Sequence, residues 1–193
     1  MNAMNYKIKN IDLFMFYENL SNVVERPLPK GYTYKFYEKG NKVDWIEIQL
    51  SAKQIANYEE GEAIFERTFA PYEDELSQRM IFIKNEDGEC MASATAFMTT
   101  DIPNIQGKVH WVAIKESYQS KGLSKPLLTH TLKTLHTLGY PSCMLHTQTL
   151  TWLAIKVYLD LGFLPYHMEE RLEGWKIIKK LTHHAVLEKM DNL

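Results

Sequence analysis

The sequence predicts a mixed α/β fold, a sheet with helices packed against it. Three observations carry that reading. YTYKFYEK alternates Tyr32, Tyr34 and Phe36 with Thr33 and Lys35, the two-residue period of a strand. Two apolar runs flank Glu86-Asp87-Gly88, whose residue types suit a hairpin turn. Beyond residue 108, strand-like runs and leucine-rich helical runs follow in the order β-α-β-α-β.

Taken in order, DLFMFYENLSNVVE reads as a short helix closed by Pro27 and Pro29. WIEIQL alternates Ile46, Ile48 and Leu50 with Trp45, Glu47 and Gln49 and is read as a second early strand. SAKQIANYEEGEAIFERTFAPY is helical in pattern, with Ser51 as N-cap, Pro71 as stop and Gly61 a point of division. RMIFIKNEDGECMASATAFM supplies the hairpin and GKVHWVAIK another strand. From Ser124 to Leu138, Leu127, Leu128, Leu132, Leu135 and Leu138 form one helical stripe opposite Lys133, His136 and Thr137. Gly139 and Pro141 end that helix. CMLHTQ is a strand, TWLAIKVYLDL a helix closed by Gly162, and FLPYHM a strand. The tail, with WKIIKKL, reads as a peripheral helix.

The 193 residues suit a single domain with a real core. A hydrophobic share of 45% and a charged share of 24% are those of a globular chain, and a net charge of −2 gives no global field toward nucleic acid or anionic membrane. No apolar run reaches the roughly 20 residues of a membrane span. MNAMNYKIKNIDLFMF lacks an apolar core and a cleavage site, so it is not read as a signal peptide. Cys90 and Cys143 stand far apart without CxxC spacing, which suits a reducing cytoplasm.

The segment YQSKGLSKPLL places Gly122 between a strand and a helix. Glycine lets backbone approach a ligand closely, and the first N–H groups of a helix lack internal partners. With the helix dipole this makes an anion site, which Lys121 and Lys125 would reinforce. The plainer reading is that Gly122 only turns the chain and Ser124 caps the helix. Neither GxxxxGK[ST] nor GxGxxG is present.

VAIKESYQSKGLSKPLL resembles motif A of the GNAT superfamily of acyl-CoA-dependent N-acyltransferases, Gln/Arg-x-x-Gly-x-Gly/Ala, with Gln119, Gly122 and Ser124 in the signature positions. Ser124 departs from the usual Gly or Ala. TWLAIKVYLDLGF resembles motif B, with Thr151 where asparagine is common, then Ala154, Tyr158 and the closing Gly162-Phe163. The order of elements over about residues 31–169 is similar as well, leaving 1–30 as an N-terminal extension and 170–193 as a tail. The resemblance implies one N-acetyltransferase domain over residues 1–193. Its sheet would be mixed, mostly antiparallel, of six or seven strands, splayed in the middle and with helices on both faces. It further implies that Gln119, Ser120, Lys121, Gly122, Leu123 and Ser124 cradle the coenzyme A pyrophosphate. Val112, Ala113 and Ile114 would line the pantetheine and acetyl carbonyl, and Thr151, Ala154 and Tyr158 would complete the site.

Moving acetyl from a thioester to an amine requires a neutral amine, a stabilised oxyanion and a proton for the leaving thiolate. Strand spacing puts Lys108, His110 and Val112 on one face and Val109, Trp111 and Ala113 on the other. His110, in HWVAI, is similar to a histidine of aralkylamine N-acetyltransferases that helps deprotonate the amine. Many relatives use a glutamate two residues earlier, where this chain has Lys108. On spacing alone, a structural histidine on a half-buried strand is the plainer reading, and it is the resemblance that brings His110 forward as a base. Tyr158 matches the motif B tyrosine that points at the coenzyme sulfur, or else packs beside Ala154 and Leu161. Thr151 would bond the pantetheine or cap its own helix.

The remaining candidates read as structural. His130, His136, His183 and His184 lack ligand spacing, so no metal is expected. Cys143 reads as a core residue and KIIKK as a solvated helix face. Trp45 and Glu47 would border the acceptor groove. The sequence thus points to a cytoplasmic enzyme acetylating a small amine, an amino-acid derivative or a protein amine from acetyl-CoA. No nucleic-acid or membrane partner is expected, and a homodimer is left open. The alternative is a non-catalytic acyl-CoA-binding or sensing module.

Overall fold

The computed structural model describes residues 8–102, 105–190 and 193. Its strands are β1 (Asp12–Tyr17), β2 (Thr33–Phe36), β3 (Met80–Lys84), β4 (Cys90–Ile102), β5 (Ile105–Ile114), β6 (Cys143–Gln148) and β7 (Leu164–Tyr166). Its helices are α1 (Lys42–Ser51), α2 (Tyr58–Thr68), α3 (Glu73–Arg79), α4 (Ser124–Thr137), α5 (Trp152–Asp160), α6 (Leu172–Thr182) and α7 (Ala185–Glu188). The fold is α/β, with strands mixed in direction and mostly antiparallel. Two compact units divide the chain. One is the N-terminal segment to Glu18 with Met144–Leu193; the other is Asn19–Cys143.

In the Asn19–Cys143 unit, β2, β3, β4 and β5 pair in succession, each antiparallel to the next. Because a strand's side chains alternate, β3 buries Phe82 on one face and Ile81 and Ile83 on the other. Phe82 belongs to a cluster built with Trp45 and Ile48 of α1, Phe65 of α2 and Phe69. Ile81 and Ile83 join Ala92 and Ala94 of β4 against Leu123 and Leu127 at the start of α4. Both faces are therefore covered, which explains the near-continuous apolar run MIFIK. The hairpin at Glu86-Asp87-Gly88 forms as the sequence suggested, with Gly88 at φ +84°.

α1 corrects the sequence reading, which made WIEIQL a strand. Its buried residues are Trp45, Ile46, Ile48 and Gln49, an i, i+1, i+3, i+4 set that only a helix turns to one side. Ser51 is consequently the last residue of α1 and caps nothing. The next helix begins after Asn57, whose side chain accepts from Glu60 N at 2.8 Å. Gly61 lies inside α2 instead of dividing it: a Cβ there would stand 2.7 Å from Ile55 Cδ1 and 2.8 Å from Ile46 Cγ2. α2 stops at Thr68, and Pro71 sits in the 3₁₀ turn Ala70–Tyr72 that leads to α3.

The second unit holds β1, most of β6, α5, β7, α6 and α7. β1 replaces the expected N-terminal helix. It alternates buried Leu13 and Met15 with less buried neighbours, and Phe14 pairs with Tyr166 and Phe16 with Leu164 in an antiparallel ladder. Only Leu20–Asn22 of that stretch is helical, as one 3₁₀ turn. The tail is helical but not peripheral, since α6 buries Trp175 and Ile178 completely. Gly174 permits that packing, because a Cβ would approach Leu13 Cδ2 to 2.8 Å. No helix among the described residues is long and apolar enough to cross a membrane.

Candidate active site

β5 carries a bulge where the chemistry was expected. Ala113 pairs with Ser93 and His110 with Thr95, so β5 spends three steps against two on β4. The extra residue shows in Trp111, whose φ is +48°. A tryptophan in the left-handed region is strained and persists only where its surroundings hold it. Here its ring stands edge-on to Trp45, centroids 5.3 Å apart.

The bulge overturns the simple alternation. His110 and Trp111 were expected on opposite faces, yet His110 stacks on Phe97 at 5.7 Å and lies 6.0 Å from both Phe69 and Trp111. Trp111 and Ala113 pack on that same cluster, while Val112 and Ile114 pack against the cluster under α4. Trp45, fully buried, borders no groove; Glu47 is exposed and lies 3.4 Å from Lys115 Nζ. Past the bulge, Lys115 N bonds Met91 O, so the odd-numbered residues face β4. The carbonyls of Val112 and Ile114 accept instead from side chains, Gln54 Nε2 at 2.7 Å and Gln119 Nε2 at 3.2 Å.

From β5 the chain passes through the 3₁₀ turn Glu116–Tyr118 into the turn Gln119–Ser124. Ser120 (φ +62°) and Gly122 (φ +78°) are left-handed, and Leu123 returns to right-handed values. Such alternation turns successive N–H groups to one side, the geometry of an anion nest. Leu123, buried with Leu127, seats the turn on the sheet, while Gln119, Ser120, Lys121 and Gly122 stay exposed. A Cβ at Gly122 would meet only Pro29 Cγ, at 3.7 Å. Lys121 Nζ lies 4.1 Å from the centre of the Tyr118 ring. Ser124 is the first residue of α4, with Leu123 in the cap position and no side-chain cap, so the serine cap of the plainer reading is not formed. Fourteen residues of helix then set their positive dipole end at the turn. A turn of exposed left-handed backbone leading into a helix fits a pyrophosphate.

The motif B residues lie in the other unit. Thr151 precedes α5, but its hydroxyl donates to Gln148 O at 2.8 Å and pairs with Thr147 Oγ1 at 2.9 Å; it makes no cap to the helix. Ala154 is half-buried. Tyr158 is 8% exposed, tilted against Phe163 at 5.9 Å, and burial pushes its phenol up to about 12. At neutral pH it therefore holds its proton. Gly162, at φ +100°, ends α5.

Cys143 is fully buried and its thiol is pushed far above the usual range by burial, as a core residue should be. His130 is taken up by Glu25 and by stacking on Tyr34 at 3.9 Å. Among the described residues no group of three or more His, Cys, Asp and Glu side chains is placed to hold a metal. Sequence reasoning missed Gln54, the side-chain bond of Gln119 and the bulge. None leaves a mark in residue type, because each depends on register or on a loop's path.

The fold and the turn define an acyltransferase architecture, and the comparisons agree. Residues 43–163, more than half of the chain, match the acetyltransferase (GNAT) family, and the chain belongs to that family. Mycothiol acetyltransferase from Streptomyces avermitilis is 25% identical over 153 residues, 77% of this chain and 48% of that protein. A GCN5-related N-acetyltransferase from Sphaerobacter thermophilus shares the fold with a TM-score of 0.62 and 13% identity, over 82% of this chain and 49% of that one. A GNAT-family acetyltransferase from Colwellia psychrerythraea does so at 0.61 and 11%, over 82% and 54%. The chain thus spans about half the length of these relatives.

Proposed function

We propose that this chain moves an acetyl group from acetyl-CoA to a primary amine by direct attack, without an acyl-enzyme. The turn Gln119–Ser124 carries the reading: left-handed Ser120 and Gly122 open a helix start inside the stretch that matches the family. The backbone N–H groups of that turn hold the pyrophosphate, helped by the dipole of α4. The edge of β5 at Val112 and Ile114 holds the pantetheine arm, with Ala113 beneath it. Thr151 and Ala154 line the arm from α5. Bound coenzyme supplies the acetyl group as an activated thioester.

His110 takes the proton of the incoming amine, directly or through water. Tyr158 gives its proton to the departing thiolate. Its phenol, raised to about 12, is a weaker acid than a thiol in water. Burial raises thiols in the same direction, as it does the Cys90 thiol. A desolvated thiolate is by the same cause a stronger base toward that proton. No metal takes part.

The relative named mycothiol acetyltransferase supports acetyl as the group moved. The acceptor is to be read by screening small amines, amino-acid derivatives and peptides with acetyl-CoA while following thiol release. Amine-dependent release identifies the acceptor class. Binding of acetyl-CoA without release on any amine would replace this reading with a non-catalytic acyl-CoA-binding module.

A further inference from the structure

The geometry points to Gln54 as a placeholder for the pantetheine arm, its carboxamide standing where an amide N–H of the coenzyme would donate to Val112 O. This rests on the coenzyme reading above. Val112 O and Ile114 O are alternate carbonyls on the edge of β5 away from β4, and each accepts from a glutamine amide, at 2.7 and 3.2 Å. Gln119 belongs to the turn itself. Gln54 comes from the loop between α1 and α2, and nothing in the phosphate-binding role requires it there.

The path of that loop delivers Gln54 to the strand. Lys53 adopts φ +59°, Gln54 N returns to Gln49 O at 3.0 Å, and Ile55 is buried in the core beneath. Two further bonds staple the loop to the end of β5: Glu116 N donates to Ser51 Oγ at 3.0 Å, and Lys53 Nζ reaches Glu116 Oε1 at 2.7 Å. Those bonds stay when Gln54 leaves, so the loop need not unfold. Gln54 is exposed, so its amide can leave the carbonyl for water, at the net cost of the one hydrogen bond it makes there. The ligand class this edge selects is a chain bearing a secondary amide N–H. Gln54 competes with it for one acceptor and so sets the affinity for the arm.

The test is calorimetric titration of wild type and Gln54→Ala with two probes, coenzyme A and adenosine 3′,5′-bisphosphate. The second lacks the pantetheine arm. Losing one competing hydrogen bond should tighten coenzyme A roughly two- to tenfold in the variant and leave the bisphosphate unchanged. Gln54→Met, which keeps the side chain's length without its donor, should behave as Gln54→Ala does and controls for altered loop structure. Equal or weaker coenzyme A binding in both variants overturns the placeholder role and leaves the coenzyme reading standing. Tightening of both probes alike also overturns it. Failure of wild type to bind coenzyme A at all would remove the coenzyme reading and this inference together.

Discussion

The side-chain amide of Gln119 donates to the carbonyl of Ile114 at 3.2 Å, which ties the first residue of the turn back to the last residue of β5. The strand edge and the turn are thereby linked directly, and the bond is made by an exposed side chain. Gln119→Ala should weaken coenzyme A binding by about fivefold, the worth of one hydrogen bond near 1 kcal/mol, with the melting temperature almost unmoved. Titration calorimetry beside a thermal melt checks both halves. A large fall in melting temperature would assign the bond a folding role instead.

Tyr158→Phe keeps the ring against Phe163, 5.9 Å away in the wild type, and removes only the hydroxyl. The expected result is a kcat lower by on the order of 10²–10⁴-fold, with the KM for acetyl-CoA little changed. The raised phenol also makes a prediction about stability. The unfolded chain loses this proton near pH 10, whereas the folded chain holds it to about 12. Stability contributed by the group is therefore complete below pH 10 and falls between 10 and 12. Denaturant melts across that window should show a shallower decline in Tyr158→Phe.

His110→Gln should lower kcat/KM chiefly on the acid side of the pH profile, where the amine is charged and a base is needed. Raising the pH should partly restore the rate as free amine becomes abundant. An unaltered profile would make His110 a structural partner of Phe97 and Phe69, on which it packs.

Trp45→Ala should cost about 3–5 kcal/mol in urea unfolding, because it empties a fully buried site ringed by Phe65, Phe69 and Trp111. The same loss would release Trp111 from its left-handed conformation and disturb the bulge beside His110.

Much of the fold was legible. The hairpin, β5, α4, β6, α5 and β7 follow from periodicity, and Gly122 and Gly162 mark the ends where left-handed backbone is needed. Two elements were misread for one physical reason: a short run that is apolar, or that alternates by chance, fits two periods. From Ile46 to Leu50 the run alternates, yet the helix buries Gln49 along with Trp45, and a buried glutamine gives no apolar signal. DLFMFY is apolar on nearly every residue, and its strand character depends on β7, some 150 residues later. The turn was visible because its glycine is. The bulge was not, since the register of β5 is fixed by counting against β4 and nothing in HWVAI counts for it.

The central claim is that coenzyme A is held by the backbone of Gln119–Ser124, and Gly122→Glu tests it most directly. A Cβ there meets only Pro29 Cγ at 3.7 Å, so the side chain has room, although φ +78° adds strain. The measurement is the shift in melting temperature of wild type and variant on adding millimolar acetyl-CoA. A ligand that binds only the folded state at 100 times its Kd stabilises it by about 2.7 kcal/mol, so the wild type should shift by several degrees. The variant, folded but carrying bulk and negative charge where the proposal puts the phosphates, should not shift. An equal shift in both proteins would contradict the account and move the coenzyme away from this turn.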